Sequence, residues 1–327
     1  MKKSLGKLVL IGACWGTLLF VVVNSRPIDQ YVSNLLQKRN EVARPVSKEE
    51  DTVRLQIEEW RRTRERPPVN ARIDTVWKSV VPGYNGLQVD VEASIRNMAE
   101  YAEISPEKLV YREVSPAVTM EKLGIYPIYR GNEQKPAVSF MVNVAWGNEH
   151  LDRILNTLDQ YQVKTTFFLD GSWVKKYPDL AKKIAARGHE IGNHAYSHPD
   201  MSKLSPERIR QEIGKTQAII KQTIGATPRL FAPPSGAFQE SVVKIAKQEF
   251  NMNTILWTAD TVDWRKPPVD QMVARVGGKL ENGVLVLMHP TQPSAQGLEQ
   301  MLKIAKQKGL RPTTVSEVIA ETRLRTP

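Results

Sequence analysis

From about residue 132 onward the sequence predicts an α/β fold, a parallel sheet curled into a reduced (β/α)7-type barrel. Two observations carry that prediction. Short apolar runs alternate with segments of helical periodicity, the pattern of parallel strands covered by helices. Polar side chains able to hold a metal or move a proton then follow several of those runs, and in such barrels the chemistry gathers where strands end. A doubly wound open sheet is the alternative, although no glycine-rich phosphate fingerprint follows the first strand.

Taken in order, the chain opens on the basic stretch MKKSLGK and then runs through LVLIGACWGTLLFVVV, 16 uncharged residues from Leu8 to Val23. The length lies between a signal-peptide core and a full span. Lys2, Lys3 and Lys7 favour the cytoplasmic side, which sends the bulk of the chain outward. Residues 1–25 are therefore expected to be a signal anchor, making this a single-pass protein of the cell membrane with an extracytoplasmic body. Cys14 is the only cysteine, so no intramolecular disulfide forms. A helical stalk is expected over 26–68. SKEE at 47–50 makes a capping box, Val53, Ile57 and Trp60 follow at helical spacing, and Pro67-Pro68 ends the helix. Residues 69–131 read as a small α+β module, with a turn at PGYNG, a helix at VDVEASIRNMAEY and strands at KLVYREV and YPIYR.

Seven apolar runs mark the strands of the region 132–327: AVSFMVNV (137–144), KTTFFL (164–169), EIG (190–192), RLFA (229–232), NTILWT (253–258), VLVLM (284–288) and LRPT (310–313). Helical patterns such as LDRILNTLDQY, PDLAKKIAARG and SPERIRQEIGKTQAIIKQTIG separate them. With 41% hydrophobic and 25% charged residues, the composition is globular and not disordered. A net charge of +11 suits polyanionic surroundings such as wall polymers or membrane faces. The chain has no nucleic-acid-binding signature, so nucleic acid is not an expected partner.

Three of the five histidines cluster in GHEIGNHAYSHPDM, with His194 and His198 four residues apart after the third run. That spacing suits a divalent ion held from one face; a structural pair is the other reading. Asp260 and Asp263 follow the fifth run and His289 the sixth, which implies convergence on one mouth.

GHEIGNHAYSHPDMSKL, with KTTFFLDGSWV before it and LFAPPSGAF, WTADTVDW and GVLVLMHP after it, resembles the polysaccharide deacetylases with a NodB homology domain, carbohydrate esterase family 4. The resemblance spans about residues 136–320. The ending of the first run, VNVAWGNEH, and the small module are most similar to a sporulation-associated branch from Gram-positive bacilli. It implies removal of N-acetyl groups from peptidoglycan-like glycan by metal-assisted hydrolysis. His194 and His198 would be metal ligands, zinc being the expected ion if the site is intact. His289 would be the acid, tuned by Asp260, with His189 holding the loop from behind. Trp146, Pro233, Pro234, Asp263 and Trp264 would line the substrate cleft.

Two motifs depart from that pattern. Asn143 falls at the base position, or Ala145 after a one-residue shift, and Ala232 and Ser235 replace an arginine and an aromatic. A carboxamide cannot take a proton near neutral pH, and two imidazoles without a carboxylate hold a divalent ion less firmly. Glu149 or His150 is the candidate replacement ligand or base. The expectation is a deacetylase-like wall protein with weak or lost activity. The alternatives are a non-catalytic glycan- or wall-binding relative and an envelope scaffold.

Overall fold

The structure is a computed structural model; it describes residues 48–101 and 103–324, together with residues 30 and 33. The apolar run 8–23 and the Ser47 cap lie outside the described residues, among which no helix is long and apolar enough to cross a membrane. The chain divides into two compact units, Met1–Thr63 with Val91–Val110, and Arg64–Asp90 with Tyr111–Pro327.

In the first unit, helix α1 (Lys48–Arg64) stops short of Pro67-Pro68, whose rings cannot continue it. It buries Val53 and Ile57, one turn apart. Helix α2 (Val91–Tyr101) buries Met98, and its Ser94 hydroxyl accepts from the Val110 amide at 2.9 Å.

The second unit begins with two antiparallel pairs, β1 (Arg72–Asp74) with β2 (Ser79–Val81) and β3 (Gly86–Val89) with β4 (Tyr111–Val114). They belong to the same unit as the large sheet, so the boundary expected at 131 falls inside it. Hydrogen bonds explain why. Ile128 N donates to Thr254 O at 2.9 Å and Gly131 N to Gly283 O at 2.8 Å. Near the far end of the chain, Glu321 Oε1 accepts from the amides of Gly83 at 3.1 Å and Met120 at 2.7 Å.

The large sheet is parallel throughout and has eight strands. In chain order these are β5 (Ala137–Val144), β6 (Thr166–Leu169), β7 (Glu190–Asn193), β8 (Leu230–Phe231), β9 (Asn253–Thr254), β10 (Ala259–Asp260), β11 (Leu285–Met288) and β12 (Arg311–Pro312). They lie side by side as β10-β11-β5-β6-β7-β8-β9, with β12 also on β5. The expected fifth strand, NTILWT (253–258), holds only β9, and a further strand, β10, follows it; β9 and β10 are the two edges of the sheet. The expected barrel is thus a curled half-barrel that stays open, because the edge strands are only two residues long and make no ladder with each other.

Alternation along β5 decides where the site lies. Val138, Phe140, Val142 and Val144 pack into a core with helices α3 (Asn148–Gln160) and α9 (Gln292–Gln307). Ala137 and Met141 face the other way, into a core with Phe168, Leu285, Leu287 and the helix α10 (Val315–Ile319). Asn143 shares this second, concave face, at its carboxyl end. On β6, Phe167 and Leu169 turn to the helices and Phe168 to the concave face. Gly192 on β7 makes room for that ring, since a Cβ there would lie 2.3 Å from Phe168 Cδ1. The remaining helices are α4 (Gly171–Lys176), α5 (Pro178–Ala186), α6 (Pro206–Ile224), α7 (Glu240–Gln248) and α8 (Val269–Lys279).

Candidate functional site

His194 directly follows β7, and its amide continues the β6–β7 ladder by donating to Leu169 O at 3.0 Å. Its ring is fully buried. Nδ1 lies 2.7 Å from Ala232 O, and a carbonyl can only accept, so Nδ1 carries the proton and Nε2 presents a lone pair. Burial, reinforced by the neighbouring His198, lowers its pKa to about 3 and keeps it neutral. The His198 ring stands 5.2 Å from it at 73°.

The loop that holds both rings is strained, with Ala195 and His198 at φ 61° and 55°. One buried carboxylate anchors it. Glu212 on α6 accepts from the amides of Tyr196 at 2.9 Å and Ser197 at 2.8 Å and from the Ser197 hydroxyl at 2.8 Å, and pairs with Arg208.

His289 follows β11 and is held by Asp263, not by Asp260. The Asp263 carboxylate accepts from His289 Nδ1 at 2.8 Å, His289 N at 2.7 Å, Thr291 Oγ1 at 3.0 Å and Ser294 Oγ at 2.5 Å. Burial alone would raise this carboxyl. The hydrogen bonds and charge from His289, with Ser294, outweigh it and leave the pKa below the ordinary value. Asp260 acts one step away: its Oδ1 accepts from Val262 N at 2.7 Å. Val262 has φ 48°, unfavourable for a β-branched residue, and this turn brings Asp263 beneath His289. The tuning role expected of Asp260 therefore passes to Asp263.

Trp146 joins the two halves. Its ring stacks on His289 at 5.1 Å and 19° and meets His198 edge-on at 6.3 Å, with 43% of the residue exposed. Gly147, at φ 81°, lets this loop press against Pro290, whose carbonyl would lie 1.8 Å from any Cβ. Trp264, expected in the cleft, is exposed, with the Arg265 guanidinium over its ring at 4.6 Å. Pro233 and Pro234 shape the turn after β8, where Ser235 takes φ 56°. Ala232 lends its carbonyl to His194 while its methyl is buried.

Asn143 is buried, and its Oδ1 has no hydrogen-bond partner among the described residues. Asp170, which the sequence reading passed over, ends β6 on the same concave face. Its Oδ1 caps α4, accepting from Trp173 N at 2.9 Å and Ser172 Oγ at 2.6 Å, whereas Oδ2 is buried and unpartnered among the described residues. Burial raises its pKa, against the pull of its hydrogen bonds and of His198.

The other expected participants stand apart. Glu149 and His150 lie on the first turn of α3, 3.5 Å from each other, and Glu149 is largely exposed. His189 precedes β7 at the opposite end from His194, about 15 Å away at the usual strand rise. Its Nδ1 accepts from Thr165 N at 3.3 Å, and burial lowers its pKa to about 4. It holds the strand's entry and not the metal loop.

His194 and His198 offer imidazole nitrogens of the right kind for zinc. Among the described residues, however, no three His, Cys, Asp or Glu side chains are grouped to hold one ion. The donor set does not fit the three-ligand centre that the resemblance implies.

Residues 130–251 match the polysaccharide deacetylase family. The uncharacterized protein YlxY of Bacillus subtilis is 51% identical over 257 residues, 79% of this chain and 80% of that one. A peptidoglycan-N-acetylglucosamine deacetylase of Bacillus cereus is 37% identical over 172 residues, 51% of this chain and 62% of that one. A solved carbohydrate esterase family 4 pseudoenzyme from Bacillus anthracis superposes with a TM-score of 0.77 at 43% identity, covering 83% of this chain and 96% of its own. A mutant of that protein has restored enzymatic activity. With the parallel half-barrel, the paired histidines after β7 and the buried His289–Asp263 couple, this chain belongs to the polysaccharide deacetylase family, carbohydrate esterase family 4.

Proposed function

We propose that the protein is a wall-directed relative of the peptidoglycan deacetylases that binds glycan in the ancestral cleft and hydrolyses it weakly or not at all. The observation that carries this reading is Asn143. It occupies the buried carboxyl end of β5, where a general base is needed, and an amide oxygen cannot take the proton of an attacking water. A positioned base contributes about 10²–10⁴ in rate, so its loss alone removes most turnover.

The acid half is ready. Asp263 accepts from His289 Nδ1 and so orients the ring with Nε2 toward the cleft, the arrangement needed to meet a leaving amine. Trp146 and Trp264 supply exposed aromatic faces of the kind that stack on sugar rings. The family resemblance and the deacetylase relatives support peptidoglycan as the polymer. Export with membrane anchoring through residues 8–23, and a sporulation role, complete the proposal; N-terminal sequencing of native protein tests the anchor. The test of the central reading pairs acetate release with binding, using N-acetylglucosamine oligomers. The expected result is saturable binding with turnover far below the usual 1–10³ per second. Ordinary turnover, or no binding, defeats it.

A further inference from the structure

The concave face groups hydrogen-bond acceptors at the Asn143 and His194 positions and at Asp170 beside them. Register brings them together. Asn143 pairs with Phe168, and Phe168 with Gly192. The next concave positions on β6 and β7 are Asp170 and His194, which are therefore neighbours across adjacent strands, with Asn143 one step diagonal to Asp170. The ladder extends to this level, since Asp170 N donates to Val144 O at 3.0 Å and His194 N to Leu169 O at 3.0 Å. Asp170 keeps an extended conformation, φ −68° and ψ 135°, so the alternation that turns Phe168 inward also turns Asp170 inward.

Asn143, Asp170 and His194 each hold an acceptor that no donor fills, and Asn143 also brings two amide N–H donors. Asn143 Oδ1 and Asp170 Oδ2 are unpartnered among the described residues, and both residues are 2% exposed. His194 Nε2 presents a lone pair because Nδ1 donates to Ala232 O. An acetamide suits Asp170 and His194 poorly, having one N–H to give and a carbonyl oxygen that these two acceptors would repel. A primary ammonium brings three N–H donors and a charge that answers the Asp170 carboxylate. Trp146, half exposed above His198 and His289, adds an aromatic face for a pyranose and for its cation.

We propose that the cleft recognises glycan already deacetylated, taking the free amine of a glucosamine unit as its ammonium ion among Asn143, Asp170 and His194. This rests on the glycan-binding reading of the same cleft. The net charge of +11 works against attraction of a cationic sugar in general, so a preference for the amine has to come from this local group.

The test is calorimetric titration of the full chain, in EDTA, with glucosamine and N-acetylglucosamine tetramers of equal length. The glucosamine tetramer is expected to bind at least tenfold more tightly. Asp170→Asn keeps an oxygen to cap α4 but should weaken the glucosamine tetramer tenfold or more while leaving the acetylated one unchanged. Asn143→Asp, a second variant, should tighten the glucosamine tetramer. Trp146→Ala should weaken both. Equal or tighter binding of the acetylated tetramer, still dependent on Trp146, overturns the amine preference and leaves the glycan-binding reading intact. Binding of neither tetramer defeats both. Stoichiometric Zn²⁺ binding in metal-only titrations, lost in Asp170→Asn, also overturns the proposal, because the acceptors would then be a metal site.

Discussion

The β10–β11 side of the cleft and the β5–β6 side have opposite hydrogen-bond economies. On the first, every oxygen of the buried Asp263 is used, and its partners fix the ring and backbone of His289 together. On the second, Asn143 Oδ1 and Asp170 Oδ2 are buried with no partner among the described residues. An unsatisfied buried acceptor costs roughly 1–3 kcal/mol, so a fold keeps one only where something outside the fold makes use of it, or where an older use has been lost. On the proposed reading, the proton-donating half of a deacetylase is furnished in this molecule, and the half that would activate water is not.

Acid should separate the two sides by pH window. Burial lowers His194 to about 3 and His189 to about 4, below the ordinary 6.5. Their folded pKa values lie beneath the unfolded one, so the unfolded chain takes up these protons first. The stability they contribute is complete above about pH 6.5 and declines as pH falls toward 3–4. Urea midpoints followed downward from pH 7 should show the uptake of nearly two protons on unfolding, and His194→Asn should remove about one of them. Asp263, whose folded pKa is depressed, contributes stability that is present above the unfolded carboxyl value near 4 and is lost only below it. A flat profile between pH 7 and 4 would contradict the burial of both rings.

Substitution sharpens the same contrast. Asp263→Ala strands the amide and Nδ1 of His289 and two hydroxyls, and should cost about 3–5 kcal/mol in denaturant unfolding, as when a buried charged partner is removed. Asn143→Val should fall within about 1 kcal/mol of wild type, or stabilise, because it replaces an unsatisfied oxygen with an apolar group suited to a strand. Comparable losses for the two variants would erase the distinction between the halves.

Much of this was legible in the sequence. The apolar runs located every long strand, because a parallel strand covered on both faces reads as a continuous run, as AVSFMVNV does. The i,i+4 histidines and the Asp and His residues after strands located the mouth. Asp260 was given the role that Asp263 fills, because both follow the fifth apolar run and only the left-handed turn at Val262 selects the second. Asp170 drew no notice, because its idle Oδ2 is a property of packing. Glu212 lies well along α6, where no local pattern ties a helical glutamate to the loop of His194 and His198. That the fifth run holds only β9, with β10 after it, was equally hidden, since nothing in NTILWT marks a strand end after Thr254.

The central claim, that hydrolysis fails for want of a base at Asn143, is tested most directly by acetate release from N-acetylglucosamine oligomers by wild type and Asn143→Asp. Assays run with and without added Zn²⁺, and with His194→Ala in the Asn143→Asp background as control. The account predicts wild-type turnover at least about 100-fold below the usual enzyme range, a gain of about tenfold or more on Asn143→Asp, and loss of that gain with His194→Ala. Wild-type turnover of about 1 per second or faster, or no change on restoring the carboxylate, would contradict it.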